Sequence, residues 1–470
     1  MRGQNIGAFH KLGVSVAWLR AGFGVACLLL AATAVSSAAD TFTTRATFGV
    51  GNNGSNPYLE SLVQGTDGNL YGTTSTGGNI GWGTVFKMTP SGTLTTIHNF
   101  ANTPDGASPD GGLVLQSNGY FFWGTTNEGG DFGFGTVYRI NSAGTLIIFH
   151  SFDGTDGAYP VGALVQGSDG HFYGTTEQGG AQGYGTVFQI TSAGALTTLY
   201  NFEYFDGAAP AGALVEGSDG DFYGTTNEGG FFNRGTVFKI TSGGTLTTLY
   251  SLGKANEYPW AALVEGTDGN FYGTSSGNDA ELGSIFKITP AGVLTTLYTF
   301  AGTDGKYPYA PLVLGTDGNF YGTTYKGGSN NFGTIFEITP AGTLTTLHSF
   351  GGGDGQNPYG GLVQRTAGGF YGVTFAGGTR HVGTVFSLAV GLGAFVRTLP
   401  TSGAVGSSVI ILGTDLTGAT SVTFNGTAAT FTVVSSSEIT TTVPSGATTG
   451  SVVVVTPSKT LTSNVDFTVP

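Results

Sequence analysis

A block of close to fifty residues recurs seven times in this chain, and that period constrains the fold more than any other feature. Aligned on an aromatic–glycine step, the copies place Tyr71, Trp123, Tyr173, Tyr223, Tyr272, Tyr321 and Tyr371 at spacings of 52, 50, 50, 49, 49 and 50 residues. The most regular copy reads "DGNFYGTT" from Asp317 to Thr324. A unit of this length matches one four-stranded blade of a β-propeller.

A single unit, Ala213 to Tyr250, predicts the four strands. "ALVEG" is the first, and "SDG" makes the tight reversal into "DFYGTT", the second. A longer loop, "NEGGFFNR", leads to "GTVFKI", and "TSGG" turns the chain into "TLTTLYSL". Glycine fills 84 of the 470 positions while charged residues make up 10%, which favours strands and turns over helices. There is no three-residue glycine period, so collagen is excluded. Regularly recurring aromatic and branched residues argue against disorder.

The ends set the topology. The seventh copy supplies "GLV", "GFYGVT" and "GTVFSL" but no fourth strand. Its missing partner stands at the other end, where "TFTTRATF" (Thr41–Phe48) matches "TLTTLYNF" except at Arg45 and Ala46. Three strands from the last copy and one from the N-terminus complete a seventh blade and leave no open edge. The expectation is an all-β chain: a seven-bladed propeller over residues 40–391, closed by the N-terminal strand. Beyond residue 391 the composition turns to Val, Ser and Thr. Short alternating strands such as "SSVIILGTDL" and "GSVVVVTPS" predict a small immunoglobulin-like β-sandwich over 392–470.

The repeated "LVxGxDGxFYGTT…GG…GTVFKIT…GTLTTLYxF" resembles the GloVer-type tandem repeat of exported bacterial proteins, across roughly residues 41 to 390. The resemblance implies export and surface display and brings no common biochemical activity. "LPTSGAVGSSVIILGTDLTGATSVTFNGTAATF" and "VPSGATTGSVVVVTP" resemble an IPT/TIG domain. That likeness implies an immunoglobulin-like spacer or binding module.

Residues 1–39 read as a signal peptide. Arg2, Lys11 and Arg20 accompany the apolar run "AGFGVACLLLAATAV", with small residues before Asp40. The rival reading, an uncleaved anchor helix, is disfavoured because the run is short for a span of roughly 20 residues, and no membrane span is expected after removal. The only cysteine, Cys27, would leave with it, taking away disulfides and thiolate metal sites. Removal deletes three Lys/Arg and no Asp/Glu, leaving 13 basic against 29 acidic residues, a net charge of −16. Such a surface repels nucleic acid and anionic lipid.

Candidate chemistry falls on the long loops, which share one face of a propeller. The loop between units carries "DGxxP" with Asp105, Asp156, Asp206, Asp304 and Asp354; Asn53 and Ala255 replace the carboxylate in two copies. Tyr58, Trp260, Tyr309 and Tyr359 follow the prolines directly, and Tyr159, Tyr258 and Tyr307 precede them. A ring of these carboxylates around a channel mouth would accept sugar hydroxyls or suit Ca²⁺, with aromatic faces stacking on sugar rings. Against this, turn chemistry alone accounts for the motif, because Asp caps its own loop, Gly takes the positive φ and Pro sets strand entry. Glu128, Glu177 and Glu228 are the best placed carboxylates for acid–base work, but no second catalytic group pairs with them. His98, His150 and His348 share one repeat position, which reads as packing. No zinc spacing, phosphate loop or serine elbow is present, so no catalytic residue is assigned.

The expected function is a secreted or cell-surface binding protein that recognises carbohydrate or protein, monomeric and without an obligatory cofactor. The alternative is an extracellular polysaccharide-acting hydrolase or lyase. It rests on the fifth copy, where "GKANEYPW" lacks the Asp and "SGNDAEL" brings Asp279 and Glu281. A purely structural envelope protein is the third possibility.

Overall fold

The computed structural model describes residues 40–59, 62–278 and 280–470. The expected export segment and Asp279 lie outside them. Among the described residues the chain is all β apart from one short 3₁₀ turn, Lys254–Asn256. It forms four-stranded antiparallel sheets in repeating order, an arrangement consistent with a propeller.

Seven sheets carry the repeat and are numbered here in that order. Sheet 4 is representative, with strands Val215–Glu216, Phe222–Thr226, Thr236–Ile240 and Leu246–Ser251 paired in sequence. Sheet 7 takes Val363–Gln364, Phe370–Thr374 and Thr384–Ala389 from the last copy and Thr41–Thr47 from the N-terminus. The departure at Arg45 has a simple cause. Register slips between Thr44 and Ala46, as it slips at Leu249 in sheet 4, so Arg45 occupies a bulge and need not face the core. Its guanidinium instead donates to Ser387 Oγ at 2.7 Å.

The "FY" pair explains how the sheets hold one another. Successive residues of a strand point to opposite faces, so each tyrosine meets the next sheet and each phenylalanine the previous one. Tyr173 packs on Phe222 at 4.0 Å, Tyr223 on Phe271 at 3.9 Å, Tyr272 on Phe320 at 4.1 Å and Tyr321 on Phe370 at 4.2 Å. Trp123 on Phe172 and Tyr71 on Phe122 continue the series. Sheets 7 and 1 share one core in which Tyr371 and Leu70 both take part. Each such aromatic pair adds roughly 0.5–1.5 kcal/mol beyond the area it buries. The buried hydroxyls are satisfied by the preceding turn: Tyr223 donates to Asp219 at 2.7 Å and Tyr173 to Asp169 at 2.6 Å. The next glycine is obligatory for space, since a Cβ on Gly224 would stand 2.6 Å from Phe238 Cζ.

A second seam runs through the residue before each proline. Asn56, Ser108, Tyr159, Ala209, Tyr258, Tyr307 and Asn357 all adopt φ between 51° and 59°, a region non-glycine residues seldom use. Each sends its N–H to the preceding sheet's loop, as Asn56 does to Val382 O at 2.9 Å, joining sheet 1 to sheet 7. Each also accepts from the residue following its own second strand, as Tyr159 O does from Glu177 N.

Two further four-stranded sheets follow, Arg397–Leu399 with Ser408–Leu412, Glu438–Thr442 and Phe431–Val433, and Thr427–Ala428 with Ser421–Phe424, Val452–Val455 and Thr460–Thr462. They enclose a core of Val409, Ile411, Val422, Phe424, Ile439, Val452 and Val454. This part packs on the tight turns of the repeats. Phe395 N donates to Thr366 O, Ser437 Oγ to Thr66 O, and Leu412 joins the core shared by sheets 1 and 2.

Tyr223→Ala is expected to cost about 3–5 kcal/mol of stability, as loss of a fully buried aromatic does. Tyr223→Phe, which removes only the hydroxyl, should cost about 1 kcal/mol. Chemical denaturation of both variants checks the order.

Candidate functional site

The first strands of six repeat sheets, with Trp260, Ala261 and Ala262 just before that of sheet 5, line one central cavity of about 760 Å³. Its side walls are aliphatic, with Val63, Val114, Val165, Val215, Val313 and Val363 among them. At one end stand the residues that follow the prolines, and at the other the tight turns and the C-terminal segment.

The mouth at the proline end is built from two positions of each repeat. One is the residue after the proline: Tyr58, Asp110, Val161, Ala211, Trp260, Tyr309 and Tyr359 in sheets 1 to 7. The other directly follows the second strand: Ser75, Asn127, Glu177, Asn227, Ser276, Tyr325 and Phe375. The seam residue described above ties these two positions together through its N–H and C=O, so they stay adjacent in every repeat. Their chemistry divides the mouth in two.

One arc is aromatic. Tyr359 stacks on Tyr309 at 4.9 Å and 11°, lies 4.5 Å from Tyr58 and 4.6 Å from Tyr325, and meets Phe375 at 6.0 Å. Trp260 extends the arc edge-on to Tyr309 at 6.4 Å. Burial pushes the phenols of Tyr58 and Tyr359 above the usual tyrosine range, so both are neutral donors.

The other arc holds carboxylates and amides. Asp110 is buried and accepts from Asn127 Nδ2 at 3.0 Å, yet its Oδ1 has no hydrogen-bond partner. The Ser75 hydroxyl stands close enough to favour the carboxylate without forming a well-directed bond. Burial outweighs both neighbours and pushes the Asp110 carboxyl up to about 6. Asn127 Oδ1 and Asn227 Oδ1 are likewise without partners. Burial raises Glu177, and repulsion from Glu228 and Asp110 adds to it. Asp110 and Glu177 also act on Tyr58, so the two arcs face one space.

The four aromatic residues expected at this mouth are therefore brought together. The five "DGxxP" carboxylates, expected in a ring around it, stand elsewhere. Asp105, Asp156 and Asp354 bond His98, His150 and His348 of the outermost strands at 2.9, 2.6 and 2.9 Å. Asp206 and Asp304 accept from Tyr200 and Tyr298 in the same way. The second carboxylate oxygen caps the loop, as Asp105 Oδ1 does for Ala101 N. Where Ala255 replaces the Asp, the corresponding Tyr250 is left 39% exposed. The Asp and the His or Tyr thus form one structural pair that holds the loop against its own sheet. Among the described residues, no group of three or more His, Cys, Asp or Glu is placed to hold a metal ion. Glu281 lies beside Lys254 at 3.5 Å, and Glu128 and Glu228 are exposed on their loops.

Asp110, Asn127, Asn227 and Ser75 went unremarked in the sequence because none belongs to the repeated consensus. The available signal was the reverse: these two positions vary widely among the copies while their neighbours do not.

The family described as Gloeobacter/Verrucomicrobia repeat matches residues 33–218 and 213–434. No curated protein matches the chain. Among solved structures, it is similar to the extracellular domain of a candidate hybrid two-component system of B. thetaiotaomicron, at 12% identity and TM-score 0.50, covering 81% of this chain and 46% of that one. It is also similar to the periplasmic gluconolactonase of Pseudomonas aeruginosa, at 16% identity and TM-score 0.42, covering 69% and 97%. A candidate 6-phosphogluconolactonase of Bacteroides fragilis follows at 18% identity and TM-score 0.45, covering 65% and 88%. At these identities the likeness concerns the fold.

A carboxyl raised in the folded state holds its proton more tightly there than in the unfolded chain. Asp110 therefore weakens the fold as pH rises from near 4 through about 6, by about 3 kcal/mol once ionised. Asp110→Asn should stabilise the protein at pH 8 and lose that advantage near pH 4, because Asn127 can turn its free carbonyl toward the new amide. Thermal melts across this range check the sign.

Proposed function

This chain belongs to the Gloeobacter/Verrucomicrobia repeat family, and from that premise we propose that it is an exported binding protein that recognises carbohydrate at the mouth of its central cavity. In this reading the repeat sheets are the seven blades of a propeller closed by Thr41–Thr47, and residues 392–470 are an immunoglobulin-like IPT/TIG module. Residues 1–39 direct export, and the mature protein acts as a monomer outside the cell or on its surface.

The observation that carries the proposal is the division of the mouth into facing arcs. Trp260, Tyr309, Tyr359 and Tyr58 offer apolar faces on which the C–H surface of a sugar ring can rest. Opposite them, Asp110, Asn127 and Asn227 each hold an acceptor oxygen with no internal partner. Buried polar groups are normally satisfied; these oxygens have almost no open surface, so a small side-chain movement on binding would bring them to ligand hydroxyls. Binding needs no cofactor in this reading; Ca²⁺, the cation the sequence suggested, is tested by adding chelator.

A second reading is hydrolysis or elimination on an extracellular polysaccharide. It is favoured by Asp110, whose raised carboxyl can hold a proton near neutral pH, with Glu177 in the same mouth. Asp110 takes the place of Glu281 as the residue to test.

Mature protein screened against plant, fungal and bacterial glycans should retain a subset. Trp260→Ala with Tyr309→Ala should weaken that binding at least about tenfold, consistent with losing an aromatic anchor. An empty screen, or affinity untouched by the double variant, would remove the carbohydrate reading. Release of soluble sugar by wild type but not by Asp110→Asn would replace it with the enzymatic one.

A further inference from the structure

At the end of the cavity opposite the mouth, the C-terminal segment places Arg397 on the wall. The strand Arg397–Leu399 is held by pairing to Ser408–Leu412, and its neighbour Phe395 is bonded to the turn of sheet 7. Arg397 is half-buried and is one of the residues that line the cavity. Burial alone bears on its charge, lowering the guanidinium's affinity for its proton, and no neighbouring anion offsets it. Among the described residues its side chain has no hydrogen-bond or ion-pair partner. A half-buried guanidinium without a counter-charge is disfavoured and gains by taking up an anion.

The polar side chains that the repeats bring to this end are committed. Gln64 exchanges two bonds with Thr366. Gln166 accepts from Ser117 N, and Gln364 accepts from Thr316 N. Glu216, the carboxylate that shares the cavity wall, takes the N–H and hydroxyl of Ser168. Ser402 and Asn464, also from the C-terminal segment, line the cavity with Arg397. Above them the wall is aliphatic, with Val161, Leu164 and Val165 in sheet 3 and Val114, Val215, Val313 and Val363 in others.

We propose that this end of the cavity binds the carboxylate of a small organic acid with a slim apolar body, its head on Arg397 and its chain along the valine wall. A guanidinium pairs a carboxylate through two parallel N–H···O bonds. One cation balances one negative charge, so a dianionic phosphate would leave an excess charge beside Glu216. The valine wall favours a hydrocarbon body over a hydroxylated one. This inference stands apart from the carbohydrate reading, because the mouth residues and Arg397 lie at opposite ends.

The test is calorimetric titration of mature protein with octanoate, octanol, glucuronate and inorganic phosphate, together with melting curves. Octanoate should bind at least tenfold more tightly than octanol and outcompete phosphate. Arg397→Met should abolish that preference while leaving the unliganded melting temperature equal or higher, since an unpaired half-buried charge is removed. Arg397→Lys, which keeps the charge, should retain part of the affinity. Equal binding of octanoate and octanol, no binding of either, or full octanoate affinity in Arg397→Met would overturn the proposal. Glucuronate held in preference to octanoate would overturn the apolar body.

Discussion

The tyrosine of one repeat lying flat on the phenylalanine of the next is the contact on which the rest of this structure depends. It requires the two residues to be adjacent in a strand, so that one side chain reaches forward and the other back. It requires a glycine after the tyrosine, because the third strand's phenylalanine occupies the space of a Cβ at Gly224. It requires an acceptor for the buried phenol, which the turn aspartate supplies, as Asp219 does for Tyr223. The "DGxFYG" motif is therefore one packing unit. Its repetition gives each sheet the same two neighbours, up to the shared core of sheets 7 and 1.

Much of this was legible because each requirement falls on a fixed column of the repeat. The four strands, the tight turn and the displaced strand at Thr41 all follow from period-two patterning and turn residues. Even the mismatch at Arg45 is explained by a bulge present in the other sheets. The loop aspartates were harder to place. Their spacing is as regular as that of the core residues, but regularity does not say which way a carboxylate points. Asp156 turns outward to His150 rather than inward to the cavity. The His or Tyr at the end of the fourth strand, six or seven residues earlier, carried that information. The two positions form one hydrogen-bonded pair, and Tyr250 loses its partner where Ala255 stands.

The candidate site inverts the logic of the scaffold. Residues that build the sheets are nearly invariant from copy to copy, because each copy meets the same neighbours. A site that receives one asymmetric ligand cannot be made from seven identical contributions. It must use positions where the backbone is fixed and the side chain is free. The residue after the proline and the residue following the second strand meet both conditions, since the left-handed seam residue bonds to both sides of the junction in every copy. The backbone at these positions is as regular as in the core, while the side chains run from Asp and Asn through Val and Ala to Trp and Tyr.

The C-terminal sheets add a second source of asymmetry. By packing on the turns of sheets 1, 2 and 7, they cover one end of the cavity and bring to it a residue no repeat supplies. The repeats themselves place only Gln, Glu and Leu at the ends of their first strands, and the Gln and Glu side chains are used in bonds between neighbouring sheets. A cationic end therefore had to come from outside the repeat, and Arg397 is that contribution. Read in this way, the C-terminal part is more than a spacer. It turns an open passage lined by aliphatic side chains into a cavity whose two ends differ in chemistry, with neutral phenols and acceptor oxygens at one and a guanidinium at the other.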